Sequence, residues 1–227
     1  MGSTTAPLPN RSRSVADYRQ LASTYDASCR RLGDIRTVAM NALALQPGQT
    51  VFDIACGTGA TLLELSRRVG AHGKVVGIDH SPEMAAFARH RIATSGAKNI
   101  ELLVEPIESA RVGHQADALL LSFAHDVLQS RQALHNVFSM TRHGARVVTV
   151  GAKLVAWWWA APLNGWIHWR GRRYRTTERG LLRPWEPLKE YCPDIHVMET
   201  FNLGTSYVAE GTYFGDIASR TNVPHSQ

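Results

Sequence analysis

The sequence predicts an α/β domain built on a doubly wound, mostly parallel sheet. Three observations carry that reading. Short β-branched runs alternate with helical segments, a glycine turn follows the first run, and an acid closes the second. Strands that read as continuous apolar runs belong to a sheet covered on both faces.

The elements follow in order. The polar start, residues 1–13, reads as a disordered arm. Residues 14–46, "VADYRQLASTYDASCRRLGDIRTVAMNALAL" at their centre, read as two amphipathic helices with a break near Gly33, forming a helical lid. "PGQ" turns the chain into a buried strand over Thr50 to Ala55, opening the core at 49–151. "ATLLELSRRV" has helical periodicity and "KVVGID" is a second strand. In "SPEMAAFARHRIATSG" the next helix takes Ser81 as N-cap, Pro82 at its first position and Gly96 past its end. "NIELLV" and "ADALLLS" are strands, "RQALHNVFSMTRHG" a helix and "ARVVTVG" a fifth strand. Residues 152–190 interrupt the alternation and read as a cap. Residues 191–215 hold a closing antiparallel pair, "DIHVMETF" and "TSYVAEGTY", around Asn202 to Gly204.

Composition narrows the class. The 227 residues suit one domain with an inserted cap. Three cysteines without CxxC spacing argue against a disulfide framework or zinc site and fit a reducing, cytoplasmic setting. Ten histidines without HExxH or HxxxH spacing offer no metal motif. No apolar run reaches spanning length, and "MGSTTAPLPNRSRS" lacks the core of a signal peptide.

"VFDIACGTG" places Asp53 near the end of a buried strand, with Gly57 and Gly59 in the turn that opens a helix. The exposed N–H groups of that helix make a polar cradle, and the glycines let a ligand approach the backbone. Asp79, ending "VVGID", is placed to accept hydrogen bonds from the ribose hydroxyls of an adenosine. A nicotinamide fingerprint needs a third glycine where Leu62 stands, and a pyrophosphate is repelled by Asp53. A carboxylate there suits a cationic ligand with an ammonium and a sulfonium, which is S-adenosylmethionine.

"DIACGTG", "GIDHSPEM", "ADALLLSFAHDVL" and "HGARVVTV", in this order and spacing, resemble class I S-adenosylmethionine-dependent methyltransferases. The likeness is greatest to small-molecule enzymes of the ubiquinone and menaquinone C-methyltransferase group. It implies a Rossmann-like, seven-stranded sheet whose last strand is antiparallel. It also implies that "YRQLASTYD" folds over the cofactor, making Tyr18 and Tyr25 candidates for its methionine end. The family's Gly-Asp-Ala after the third strand is replaced by "VEPIES". Glu105 or Glu108 then meets the adenine amino group, or backbone alone does. Ser122, which closes the fourth strand, completes the cofactor candidates. The Asn-Pro-Pro-aromatic signature of nucleic-acid and protein amide N-methyltransferases is absent.

His125 follows the fourth strand, at the end where a doubly wound sheet binds its substrate, and is a candidate general base with Asp126 beside it. Residues 153–189 hold eight basic residues against two acidic ones, which accounts for the whole net charge of +6. All six tryptophans lie in the same segment. Trp157 to Tyr174 are therefore expected to roof a pocket for a planar or anionic small molecule, with Tyr174 a catalytic candidate. The alternatives are a cap resting peripherally on a membrane, a nucleic-acid surface, and a cap that packs its rings on the sheet. The predicted activity is methyl transfer to a small molecule. Intramolecular cyclisation of the cofactor's aminobutyrate chain, releasing methylthioadenosine, and a non-catalytic cofactor-binding subunit are the other readings.

Overall fold

The computed structural model of the chain describes residues 33–157, 160–171 and 177–215. Helix α1 is Gly33–Ala42, followed by β1 Thr50–Ile54, α2 Leu62–Val69, β2 Lys74–Asp79 and α3 Pro82–Ser95. Then come β3 Ile100–Val104, β4 Ala116–Ser122, α4 His125–Leu128, α5 Arg131–Ser139 and β5 Thr141–Ala152. Helix α6 is Ala161–Gly171, a 3₁₀ turn spans Glu186–Glu190, and β6 His196–Phe201 and β7 Ser206–Thr212 end the fold.

Seven strands form one sheet in the order β3-β2-β1-β4-β5-β7-β6. Strands β1 to β5 pair in parallel, and β7 runs antiparallel to both β5 and β6. The strand order reverses between β1 and β4, which is where such sheets bind ligands, at the carboxyl ends of the strands.

The two-residue period of each strand divides the core into two layers. Phe52, Ile54, Leu119 and Leu121 face one layer with Leu134, Val137 and Phe138 of α5. Val51, Ala118, Leu120 and Val148 face the other, with Ile35 and Ala39 of α1 and Leu62 and Leu65 of α2. Of the stretch expected as a lid, 14–46, the described part is thus α1, packed on the sheet against β4, β5 and β7.

The predicted signals of α3 are in place. The Ser81 hydroxyl accepts from the Met84 N–H at 3.2 Å, Pro82 opens the helix, and Gly96 is left-handed at φ 71°. One boundary differs from the sequence reading. "MTRHG" belongs to no helix: Ala116 N–H bonds the Met140 carbonyl at 2.9 Å, and Thr141 already pairs with Ala116. The Thr141 hydroxyl donates back to the Val137 carbonyl at 2.8 Å and closes α5. Gly144, at φ 85°, is outside helical space altogether.

The cap has two parts. Its return, from Leu181 onward, belongs to the core: Leu181 and Leu188 are buried, and Tyr191 stacks on Phe138 at 4.1 Å between ring centroids. Trp185 packs against Tyr207 at 4.7 Å. The projecting part carries α6, which Asn164 pins to the incoming chain. Its amide accepts from Val155 N–H at 2.9 Å and donates to the Val155 carbonyl at 2.8 Å.

Candidate active site

Strand register brings the candidates to one edge. Asp79 pairs with Val104, Ser122 pairs with Val150, and Ile54 lies between Ile78 and Leu121, one residue short of that edge. Asp53 sits one step deeper, between Gly77 and Leu120, and is fully buried.

Only one half of the Asp53 carboxylate is satisfied. Oδ2 accepts a short hydrogen bond from the Thr61 hydroxyl, just before α2. Oδ1 is buried with no hydrogen-bond partner among the described residues. Burial pushes this carboxyl up to about 7, against the pull of Thr61 and the nearby Arg36 guanidinium, while the Asp79 charge adds to the rise. Arg36, on α1, has a buried Nε that likewise lacks a partner among the described residues. A buried carboxylate oxygen and a buried guanidinium nitrogen, each without a partner among the described residues, thus lie within electrostatic reach of one another. Sequence reasoning found Asp53 but not Arg36, which lies in an ordinary amphipathic helix.

Asp79 already holds two backbone hydrogen bonds. Its Oδ2 accepts from Gly57 N–H at 2.8 Å and its Oδ1 from Ser81 N–H at 2.9 Å. The carboxylate therefore ties the glycine turn to the second strand, with lone pairs left for a ligand. Burial raises its pKa, while the Ser81 and Gly57 N–H groups and the His80 charge oppose the rise.

The two glycines of the turn serve different ends. A Cβ on Gly57, at φ 56°, would meet nothing within 4 Å, which leaves room at the backbone for a ligand. A Cβ on Gly59, at φ 73°, would stand 3.0 Å from the Ala88 Cβ and 3.0 Å from Leu62 Cδ1. Gly59 lets the turn pack against α3.

Two non-glycine residues adopt left-handed backbone at this edge: Ala55 at φ 57°, after β1, and Phe123 at φ 56°, after β4. Such positions cost about 1–3 kcal/mol and gather at functional sites. Their signal is conformational, so the sequence did not disclose them. His125, buried, opens α4 directly beyond Phe123. Gly180, just before the cap's return, lies against the Gln129 side chain at the other end of α4.

The remaining candidates divide. Ser122 is half-buried at the strand end, Glu105 is exposed just past β3, and Glu108 is half-buried in the turn beyond. Tyr18, Tyr25 and Tyr174 lie outside the described residues. Among the described residues, no group of three or more His, Cys, Asp or Glu side chains could hold a metal ion. Of the residues expected to roof a pocket, Trp157, Trp166 and Trp169 are 66%, 51% and 63% exposed, and Trp158 and Trp159 lie outside the described residues.

Residues 51–144 match the family described as "Methyltransferase domain". Relatives include an arsenite methyltransferase of Halobacterium salinarum, 29% identical over 133 residues, 58% of this chain and 34% of that protein. A ubiquinone/menaquinone biosynthesis C-methyltransferase of Geotalea daltonii is 29% identical over 116 residues, 50% of this chain and 49% of that one. A SAM-dependent methyltransferase structure from Aquifex aeolicus aligns with a TM-score of 0.62 at 21% identity, covering 86% of this chain and 98% of that chain. The chain spans about a third to a half of the length of the first curated relatives it matches. Over residues 51–144 the chain is thus similar to methyltransferase domains, and its sheet has the fold of S-adenosylmethionine-dependent methyltransferases of known structure.

Proposed function

We propose that this chain transfers a methyl group from S-adenosylmethionine to a small-molecule acceptor held between the carboxyl edge of the sheet and the cap. The reading rests on the half-satisfied Asp53 beside Arg36, beneath a glycine turn clamped to Asp79. In it, Asp53 and Arg36 hold the ammonium and carboxylate of the cofactor's amino-acid end, and Asp79 holds the ribose. The cofactor supplies an electrophilic methyl on a sulfonium. His125 takes the proton that an oxygen, nitrogen or carbon acceptor gives up, and α4 fixes its distance from the cradle. Among the relatives are an arsenite methyltransferase and a ubiquinone/menaquinone biosynthesis C-methyltransferase, which supports a small-molecule acceptor.

The test identifies the nucleoside product. Incubation with S-adenosylmethionine alone is expected to give no turnover, and addition of an acceptor is expected to release S-adenosylhomocysteine. Methylthioadenosine formed without an acceptor would replace methyl transfer by cyclisation of the cofactor chain. His125→Ala is expected to lower turnover by roughly 10²–10⁴-fold with cofactor affinity retained, the range of a lost general base.

A further inference from the structure

The three solvent-facing tryptophans are joined by other exposed apolar side chains. Leu203, at the β6–β7 turn, is 79% exposed, and Leu182 is 53% exposed. Hydrogen bonds place all of them around one segment. Lys153 N–H bonds the Thr205 carbonyl at 2.8 Å, which sets the Leu203 turn beside the incoming cap chain. Leu154 N–H bonds the Leu181 carbonyl at 2.8 Å, which brings Leu182 to the same place. Trp157 continues that chain, and Asn164 pins α6, with Trp166 and Trp169, to Val155. Helix α6 is therefore apolar on two sides, Ile167 inward and the tryptophans outward.

Leu203 also adopts a left-handed backbone, at φ 57°. A leucine held in a strained conformation and almost fully exposed stabilises nothing in the isolated chain. The whole positive excess of the sequence falls in the same segment, with Arg179 and Arg183 exposed next to Leu182. The patch stands past the end of β5, and so on the same edge of the sheet as the cradle.

We propose that this face docks on an anionic membrane surface, the tryptophans and leucines entering the interface and the basic residues meeting the headgroups. Tryptophan is the residue that favours this boundary, and each basic residue near it adds attraction. A second copy of the chain would bring together two faces of like charge. Single-stranded nucleic acid would stack on rings, which Leu182 and Leu203 do not supply. The docked edge gives a lipid-borne acceptor a path to the site. That last point alone rests on the proposed methyl transfer.

The test is co-sedimentation of the full chain with vesicles of phosphatidylcholine, with or without phosphatidylglycerol, alongside cofactor binding by calorimetry. Binding is expected to be roughly tenfold or more stronger to the anionic vesicles and to weaken as salt rises, since the screening length falls from about 10 Å at 0.1 M to about 3 Å at 1 M. Tryptophan emission is expected to shift to the blue on binding. Trp166→Ala with Trp169→Ala, and separately Leu203→Gly, are expected to weaken vesicle binding while cofactor affinity stays unchanged. Leu203→Gly relieves backbone strain, so its loss of binding has no folding explanation. Absence of vesicle binding, equal binding to neutral vesicles, variants that bind as the parent does, or retardation of oligonucleotides in place of vesicle binding would each overturn the proposal. Loss of cofactor binding in the parent chain would instead strike the methyltransferase reading.

Discussion

Burial raises the Asp53 carboxyl to about 7, so between pH 3.8 and about 7 the folded chain holds a proton that the unfolded chain has released. Folding is favoured at the acidic end of that window, and the contribution is lost as the carboxyl ionises. A cationic ligand reverses the balance, because it binds the ionised form. Cofactor affinity is therefore expected to fall by up to about tenfold per pH unit as the medium is taken from 7 toward 5. Calorimetry across that range checks it. Arg36, Asp79 and Cys56 share the field of this carboxyl, and Asp53→Asn isolates its part. That variant is expected to bind cofactor at least roughly tenfold more weakly and to lose the pH slope, since one charge-assisted hydrogen bond contributes about 1.5–3 kcal/mol.

Among the elements, the β1–α2 turn separates stability from binding. Gly59→Ala forces a Cβ to 3.0 Å from Ala88 and Leu62 in a left-handed backbone. The expected loss is about 1–3 kcal/mol, read as a lower Tm, at roughly 2–4 °C per kcal/mol for a chain of this size. Gly57→Ala meets open space and is expected to weaken cofactor binding more than it lowers Tm. Both glycines were legible in the sequence, but their division of labour was not, because it depends on where α3 lies. The strands read correctly where both faces are buried, as in "KVVGID" and "ADALLLS", since a short β-branched or leucine run has few other destinations. "MTRHG" misled because its helical look is local, whereas its pairing with Ala116 and Tyr213 is long-range. Arg36 was hidden for a similar reason: nothing near it in sequence announces that its charge acts on Asp53, 17 residues away.

At the scale of the whole molecule, the cap leaves and rejoins the sheet through neighbouring residues, with Leu154 bonded to Leu181. Residues 155–180 are therefore flanked by two points of the chain that already meet. Replacing them with a short glycine-serine linker is expected to leave a folded chain that still binds S-adenosylmethionine by calorimetry, while acceptor turnover and vesicle binding disappear. Loss of cofactor binding on that replacement would show that the cradle borrows from the cap. The joined ends also bear on how such a protein changes over generations. A segment whose entry and exit are a hydrogen bond apart can be exchanged, lengthened or lost without moving the strands on either side. If the cap selects the acceptor as proposed, new acceptor chemistry can arise by swapping this one segment without disturbing Asp53, Asp79 or the glycine turn.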